Sequence, residues 1–134
     1  MTSAWKLTVQ GIDLVPANPD DDTFLRDLFI AVQQDSMAHI PLPEAALLSM
    51  LERQFDVQSE DHGKRFGAAT NWIITEDGRG IGRLLVDFTD NPVHVIDIAL
   101  LPEKQSHGIG TRVMTALLAE ARSRKTDVSL ITLK

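Results

Sequence analysis

Gln105, Gly108 and Gly110 follow one another at the spacing Gln-x-x-Gly-x-Gly, between an apolar run and a helical repeat. Val93, Val95, Ile96, Ile98, Ala99, Leu100 and Leu101 make that run almost unbroken, as expected of a central strand covered on both faces. Pro102 ends it. From Ile109 the apolar residues Val113, Met114, Leu117, Leu118 and Ala121 recur at helical spacing, so the two glycines sit where a strand hands the chain to a helix. Unpaired backbone N–H groups and the positive end of the helix dipole gather at such a point, and together they favour a phosphate. Glycine suits the loop because a side chain at Gly108 or Gly110 would hold a pyrophosphate away from the amides. The pattern is not a dinucleotide fingerprint, since Val113 occupies the third glycine position, and it is not a Walker loop, since no Gly-Lys-Ser/Thr follows. A second series, Gly78-x-Gly80-x-Gly82, leads into Leu84, Val86 and Phe88 at period two. It opens a strand and offers no helix dipole.

The run Ile98-Ala99-Leu100-Leu101-Pro102, followed by Gln105-x-x-Gly108-x-Gly110-Thr111, resembles motif A of the GNAT N-acetyltransferase superfamily, Q/R-x-x-G-x-G/A. The resemblance implies that the loop formed by Gln105, Ser106, His107, Gly108, Ile109, Gly110 and Thr111 binds the pyrophosphate of acetyl-CoA. It also implies that the backbone of Ile98, Ala99 and Leu100 pairs with the pantetheine arm. Two positions depart from the pattern: Ser106 stands where a glycine is common, and Gln105 where an arginine is more usual.

Acetyl transfer from a thioester to an amine needs a site that aligns the two, a base for the ammonium proton and donors that polarise the carbonyl. The backbone of Ile98 to Leu100 supplies the donors if a bulge leaves an N–H unpaired, as the resemblance implies. For the base, the strand offers two titratable side chains, His94 and Asp97. Strict alternation puts His94 with Ile96, Ile98 and Leu100 on one face and Asp97 with Val95 and Ala99 on the other. His94 has the better intrinsic pKa, and by resemblance it occupies the position where several GNAT enzymes carry a catalytic Glu or His. A partly buried structural histidine is the competing reading. Asp97, in an otherwise apolar strand, must find a partner; it either orients the amine, directly or through water, or bonds a neighbouring loop. His107 either touches phosphate or faces solvent. His39 and His62 have no metal-ligand spacing around them, and no metal is expected. The tyrosine with which the family often reprotonates the CoA thiolate has no counterpart among these residues, so that role is vacant or falls to water. By resemblance, acceptor specificity belongs to the first two helices and the hairpin, with Phe29, Phe55, Asp35 and Asp87 as candidates.

The elements that must position these groups read in order along the chain. Trp5, Leu7 and Val9 alternate as a first strand, with a bulge or break at Gly11. Asp20-Asp21-Asp22 reads as a solvated cap complementing a helix dipole. Phe24, Leu25, Leu28, Phe29 and Val32 mark the buried face of that first helix, and Leu47, Leu48, Leu51 and Phe55 define a second after Pro41-Leu42-Pro43. Asn71 to Thr75 and Ile81 to Phe88 form a hairpin about Asp77-Gly78-Arg79-Gly80, and Asn91-Pro92 turns the chain into the motif strand. Val128 to Leu133 reads as a last strand. The expected fold is α/β: a mixed sheet flanked by helices, in the order β-α-α-β-β-β-α-β. This is the GNAT order as far as its fifth strand, and the family's next helix and last two strands have no residues here.

At 134 residues, the whole of 1–134 is expected to form one domain. A hydrophobic share of 43% with 24% charged residues is that of an ordinary soluble protein. The net charge of −6 argues against nucleic acid and mildly favours a cationic acceptor. No cysteine means no disulfide, thiolate metal site or cysteine nucleophile. No signal-peptide core and no bilayer-length apolar run are present, so a cytoplasmic protein without a membrane partner is the expectation. The leading function is an acetyl-CoA-dependent N-acetyltransferase of a small amine or amino terminus. The alternatives are a non-catalytic acyl-CoA-binding or regulatory module and a plain interaction domain. An uncovered last strand would invite pairing, so a homodimer, or a natural continuation of the chain, is expected to cover it.

Overall fold

Gly11 decides where the sheet begins. In the computed structural model, which describes residues 5–65, 69–89 and 91–130 (side chains of 62–65 excepted), Gly11 has a φ of +76° and the Ile12 N–H donates to the Val9 carbonyl at 3.1 Å. This tight turn needs the left-handed conformation that glycine adopts at no steric cost. The alternating Trp5–Val9 segment is therefore not the first strand. Val9 makes only an isolated bridge to Ile12, and strand β1 is Asp13–Pro16. Trp5 serves the core instead, stacking on Phe88 with ring centroids 4.7 Å apart while the Arg124 guanidinium covers its ring.

The chain then forms helix α1 (Asp22–Ser36), helix α2 (Glu44–Arg65), strands β2 (Thr70–Glu76), β3 (Arg79–Asp87) and β4 (Val93–Leu100), helix α3 (Ile109–Ser123) and strand β5 (Val128–Leu130). This is the expected order. The expected aspartate cap before α1 is supplied by Asn18, whose side chain accepts from the Asp20 N–H while Asp21 accepts from the Asn18 N–H. The reciprocal pair caps a short 3₁₀ turn at Pro19–Asp21 that feeds straight into α1. The hairpin turn is tighter than expected: Asp77 and Gly78 alone carry positive φ, and Arg79 and Gly80 already belong to β3. Of the apolar residues that define α2 in the sequence, Leu48 is exposed, whereas Leu51 and Phe55 are buried. Of the expected last strand, Ile131 to Leu133 lie outside the described residues.

The strands lie side by side in chain order, antiparallel except for the β4–β5 pair, which is parallel. Helices cover both faces. On one, Val113 and Leu117 of α3 pack on Trp72, Ile74, Leu84, Val86 and Val95; on the other, Leu25 of α1 and Phe55 of α2 pack on Ile73. The period-two alternation of β2 is thus satisfied from both sides.

β3 and β4 approach closely because Gly82 has no side chain. A Cβ there would run into the Ala99 carbonyl oxygen and come within 2.7 Å of Leu100 Cδ2. The first of these is backbone and cannot swing aside. Gly82→Ala is therefore expected to destabilise the fold by about 3 kcal/mol, at the upper end for overpacking. Urea unfolding checks this, and a loss below about 1 kcal/mol would show that the two strands separate easily.

Candidate active site

The site is made by a fault in β4. Leu85 pairs with Asp97 and Val86 pairs with Val95, so Ile96 is the extra residue of a β-bulge. The bulge shifts every later residue to the opposite face from strict alternation. Val95 shares the α3 face with Ile98 and Leu100. His94 and Asp97, expected on opposite faces, lie on the same one, since they pair with Asp87 and Leu85 of alternate β3 positions.

β5 runs beside Val93, His94 and Val95, and among the described residues no strand accompanies β4 beyond that point on this side. The Leu101 N–H donates to the Ile81 carbonyl at 2.8 Å, toward β3. Backbone groups alternate along a strand, so those of Ile98 and Leu100 point the other way, into the opening. The Leu100 carbonyl there accepts a 3.1 Å hydrogen bond from Gln105 Nε2. The glutamine side chain thus ties the loop to the strand and leaves the loop's contribution to its backbone.

After Pro102–Lys104 the loop turns through two left-handed residues, Ser106 (φ 65°) and Gly108 (φ 78°), the second being the N-cap of α3. Ser106 holds a conformation that glycine would adopt at lower cost, which accounts for the residue usual there. No side chain caps the helix, and its first internal bond runs from the Arg112 N–H to the Gly108 carbonyl. The N–H groups of Ile109, Gly110 and Thr111 therefore have no acceptor within the helix. Nothing lies within 4 Å of where a Gly108 side chain would start. The buried Ile109 side chain pins this turn to the core.

These parts enclose one cavity of about 890 Å³. Its walls include Ile98, Ala99, Leu100, Gln105, Ser106, Gly108, Ile109, Gly110 and Thr111, so nine of the ten positions expected to hold the acyl donor come together there. His107 does not. It faces a smaller depression of about 270 Å³ with Glu103, Arg112 and the Lys104–Glu76 pair. Lys104 Nζ donates to Glu76 at 2.7 Å and holds that carboxyl below its ordinary range.

Of the two candidate bases, Asp97 lines the cavity and His94 is not among its walls. His94 Nδ1 lies 3.2 Å from Ser129 Oγ of β5, one strand position before the bulge. Asp87, opposite His94, accepts from Thr89 Oγ at 2.6 Å and from the Thr89 N–H at 2.9 Å. Those bonds, aided by the charge of His94, hold its carboxyl below the usual carboxylate range. Phe29 lines the cavity; Phe55 packs beside it, 5.6 Å between ring centroids, while Asp35 and Asp87 stand away from it.

One wall residue escaped the reading of the sequence. Arg83 of β3 is buried, faces the cavity and lies 3.4 Å, Nε to Oδ2, from Asp97. Burial pulls its guanidinium below the ordinary range and Asp97 opposes that pull. The signal was an arginine inside the run Ile81–Val86, where any charge must answer to a partner.

The profile of the acetyltransferase (GNAT) family matches residues 35–134, from the last turn of α1 through β5. The chain belongs to that family, and acetyl transfer is its class of reaction. No curated protein matches the sequence significantly. Among solved structures, the fold is similar to a putative acetyltransferase from Pyrococcus horikoshii, with TM-score 0.69 and 14% identity over 92% of this chain and 80% of that one. It is also similar to the PaiA N-acetyltransferase from Thermoplasma acidophilum in complex with coenzyme A, with TM-score 0.64 and 13% identity over 90% of this chain and 79% of that one. A third is a GNAT family acetyltransferase from Elizabethkingia anophelis with acetyl-CoA bound, with TM-score 0.56 and 13% identity over 90% of this chain and 65% of that one. At these identities the likeness concerns the fold.

Proposed function

We propose that this protein is an acetyl-CoA-dependent N-acetyltransferase acting on a primary amine of a small molecule or peptide. One observation carries the reading: the edge of β4 at Ile98–Leu100, which no described strand accompanies, and the uncapped start of α3 lie in a single cavity with Asp97. The helix start suits the pyrophosphate. The outward backbone of Ile98 and Leu100 suits the amides of the pantetheine arm, and the Leu100 N–H is a donor for the thioester carbonyl. The complexes of the similar proteins with coenzyme A and acetyl-CoA support the same donor.

In this reading Asp97 takes a proton from the acceptor ammonium, directly or through one water. The amine nitrogen then bonds the acetyl carbon as the C–S bond breaks, and water returns a proton to the thiolate. His94 braces β5 against β4 through Ser129. A cytoplasmic location and a second copy paired on β5 belong to the same reading; among the described residues no helix is long and apolar enough to cross a membrane. Light scattering at micromolar concentration tests the second copy.

Calorimetry with coenzyme A, followed by thiol release from acetyl-CoA with a panel of amines, tests the function. Micromolar binding and amine-dependent release are expected. Binding without release from any amine would favour the non-catalytic acyl-CoA module, and absence of both would reduce the glycine loop to a turn.

A further inference from the structure

Resting on that reading, we infer that the acceptor is a free α-amino acid with an apolar side chain, its carboxylate on Arg83 and its ammonium on Asp97. Among the described residues walling the cavity, Arg83 and Asp97 are the only charged ones. They are also adjacent, 3.4 Å apart across the β3–β4 pair. Arg83 is only 8% exposed, in surroundings where a charge interacts far more strongly than in water. The helices contribute uncharged and largely apolar side chains to the cavity, Leu25, Leu28, Phe29 and Val32 of α1 beside Gln33, with Gln58 of α2.

A zwitterion with both charges on one carbon matches this pair, since its two ends are about as close as the two side chains. Carboxylate on guanidinium is the strong, two-pronged form of charged hydrogen bond. A peptide amino terminus has an amide in place of the carboxylate. A polyamine would set a second positive charge in the same cavity as Arg83. Both are disfavoured although the protein as a whole is acidic.

The test uses the wild-type chain with acetyl-CoA and four acceptors: leucine, leucinamide, 3-methylbutylamine and spermidine. Leucine is expected to exceed the other three in kcat/KM by about 10- to 100-fold, the worth of one charge-assisted hydrogen bond. Arg83→Met should abolish that preference: within this variant the kcat/KM for leucine is expected to fall to that for 3-methylbutylamine, whatever the variant's overall rate. If this variant fails to fold, the ratio among acceptors on the wild-type chain decides alone. Equal turnover of leucinamide or the simple amine overturns the inference in favour of a peptide or a plain amine, and so does a preference that survives in Arg83→Met. If coenzyme A binds but nothing is acetylated, calorimetry on the CoA-loaded protein takes the place of turnover: leucine must bind more tightly than 3-methylbutylamine, and equal affinity overturns the inference. Failure of coenzyme A to bind overturns the donor reading as well, and so separates the two failures.

Discussion

Gly108→Glu is expected to weaken coenzyme A binding by at least about 100-fold, or 2.7 kcal/mol, in calorimetry. The new side chain starts in open space at the uncapped end of α3, where the N–H groups of Ile109, Gly110 and Thr111 lack helical acceptors. A carboxylate about 4 Å from a phosphate costs on the order of 4 kcal/mol at an effective dielectric of 20, and it would also claim the amides for itself. The backbone contributes separately. At a φ of +78° any side chain costs about 1–2 kcal/mol, so stability should fall as well. Gly108→Ala carries that strain without the charge and measures it. Gly110→Ala is the converse control, since its Cβ would sit at an ordinary 3.8 Å from Leu100 Cδ1, in a helix that alanine favours. It should keep or raise stability and still weaken binding if the ligand lies against that turn. Wild-type affinity in Gly108→Glu would remove the loop from the donor site.

The second large effect is on turnover. Asp97→Asn is expected to lower kcat by about 10²–10⁴-fold, the range for loss of a positioned base, with coenzyme A affinity unchanged. The substitution keeps shape and hydrogen-bonding length but cannot take the proton. It also leaves the buried Arg83 without the carboxylate 3.4 Å away, so a loss of stability is expected alongside. Comparing the variants at saturating acceptor separates rate from folding. His94→Ala provides the contrast: its ring bonds Ser129 outside the cavity, so its loss should loosen the β4–β5 pair and leave kcat nearly unchanged. Full activity in Asp97→Asn would pass the proton to water. A collapse of kcat in His94→Ala, with its acidic pH limb lost, would pass it to the histidine.

The strand–loop–helix unit was legible because its causes are local. Pro102 stops a strand, Gly108 permits a left-handed cap, and the apolar spacing from Ile109 to Ala121 makes an amphipathic helix wherever it packs. The α/β order and the placement of helices on both faces were legible for the same reason, since hydrophobic period reports which faces must be buried. The turn at Gly11 lay at the limit of such reading: the break was visible, but which side of it would pair was not. Pairing depends on a partner strand, and β2 takes Asp13–Pro16. A bulge in β4 was implied by the family resemblance, but its place at Ile96 was not legible in the residues themselves. Nothing in Val-His-Val-Ile-Asp-Ile-Ala-Leu distinguishes a strand that alternates throughout from one with an unmatched residue, because the slip exists only in register against Leu85 and Val86. Yet that single residue turns His94 and Asp97 onto one face. Arg83 likewise became a site residue only when β3 was laid beside β4 and its charge came to face Asp97 across the pair. Local sequence wrote the glycine loop; long-range pairing decided what would stand opposite it.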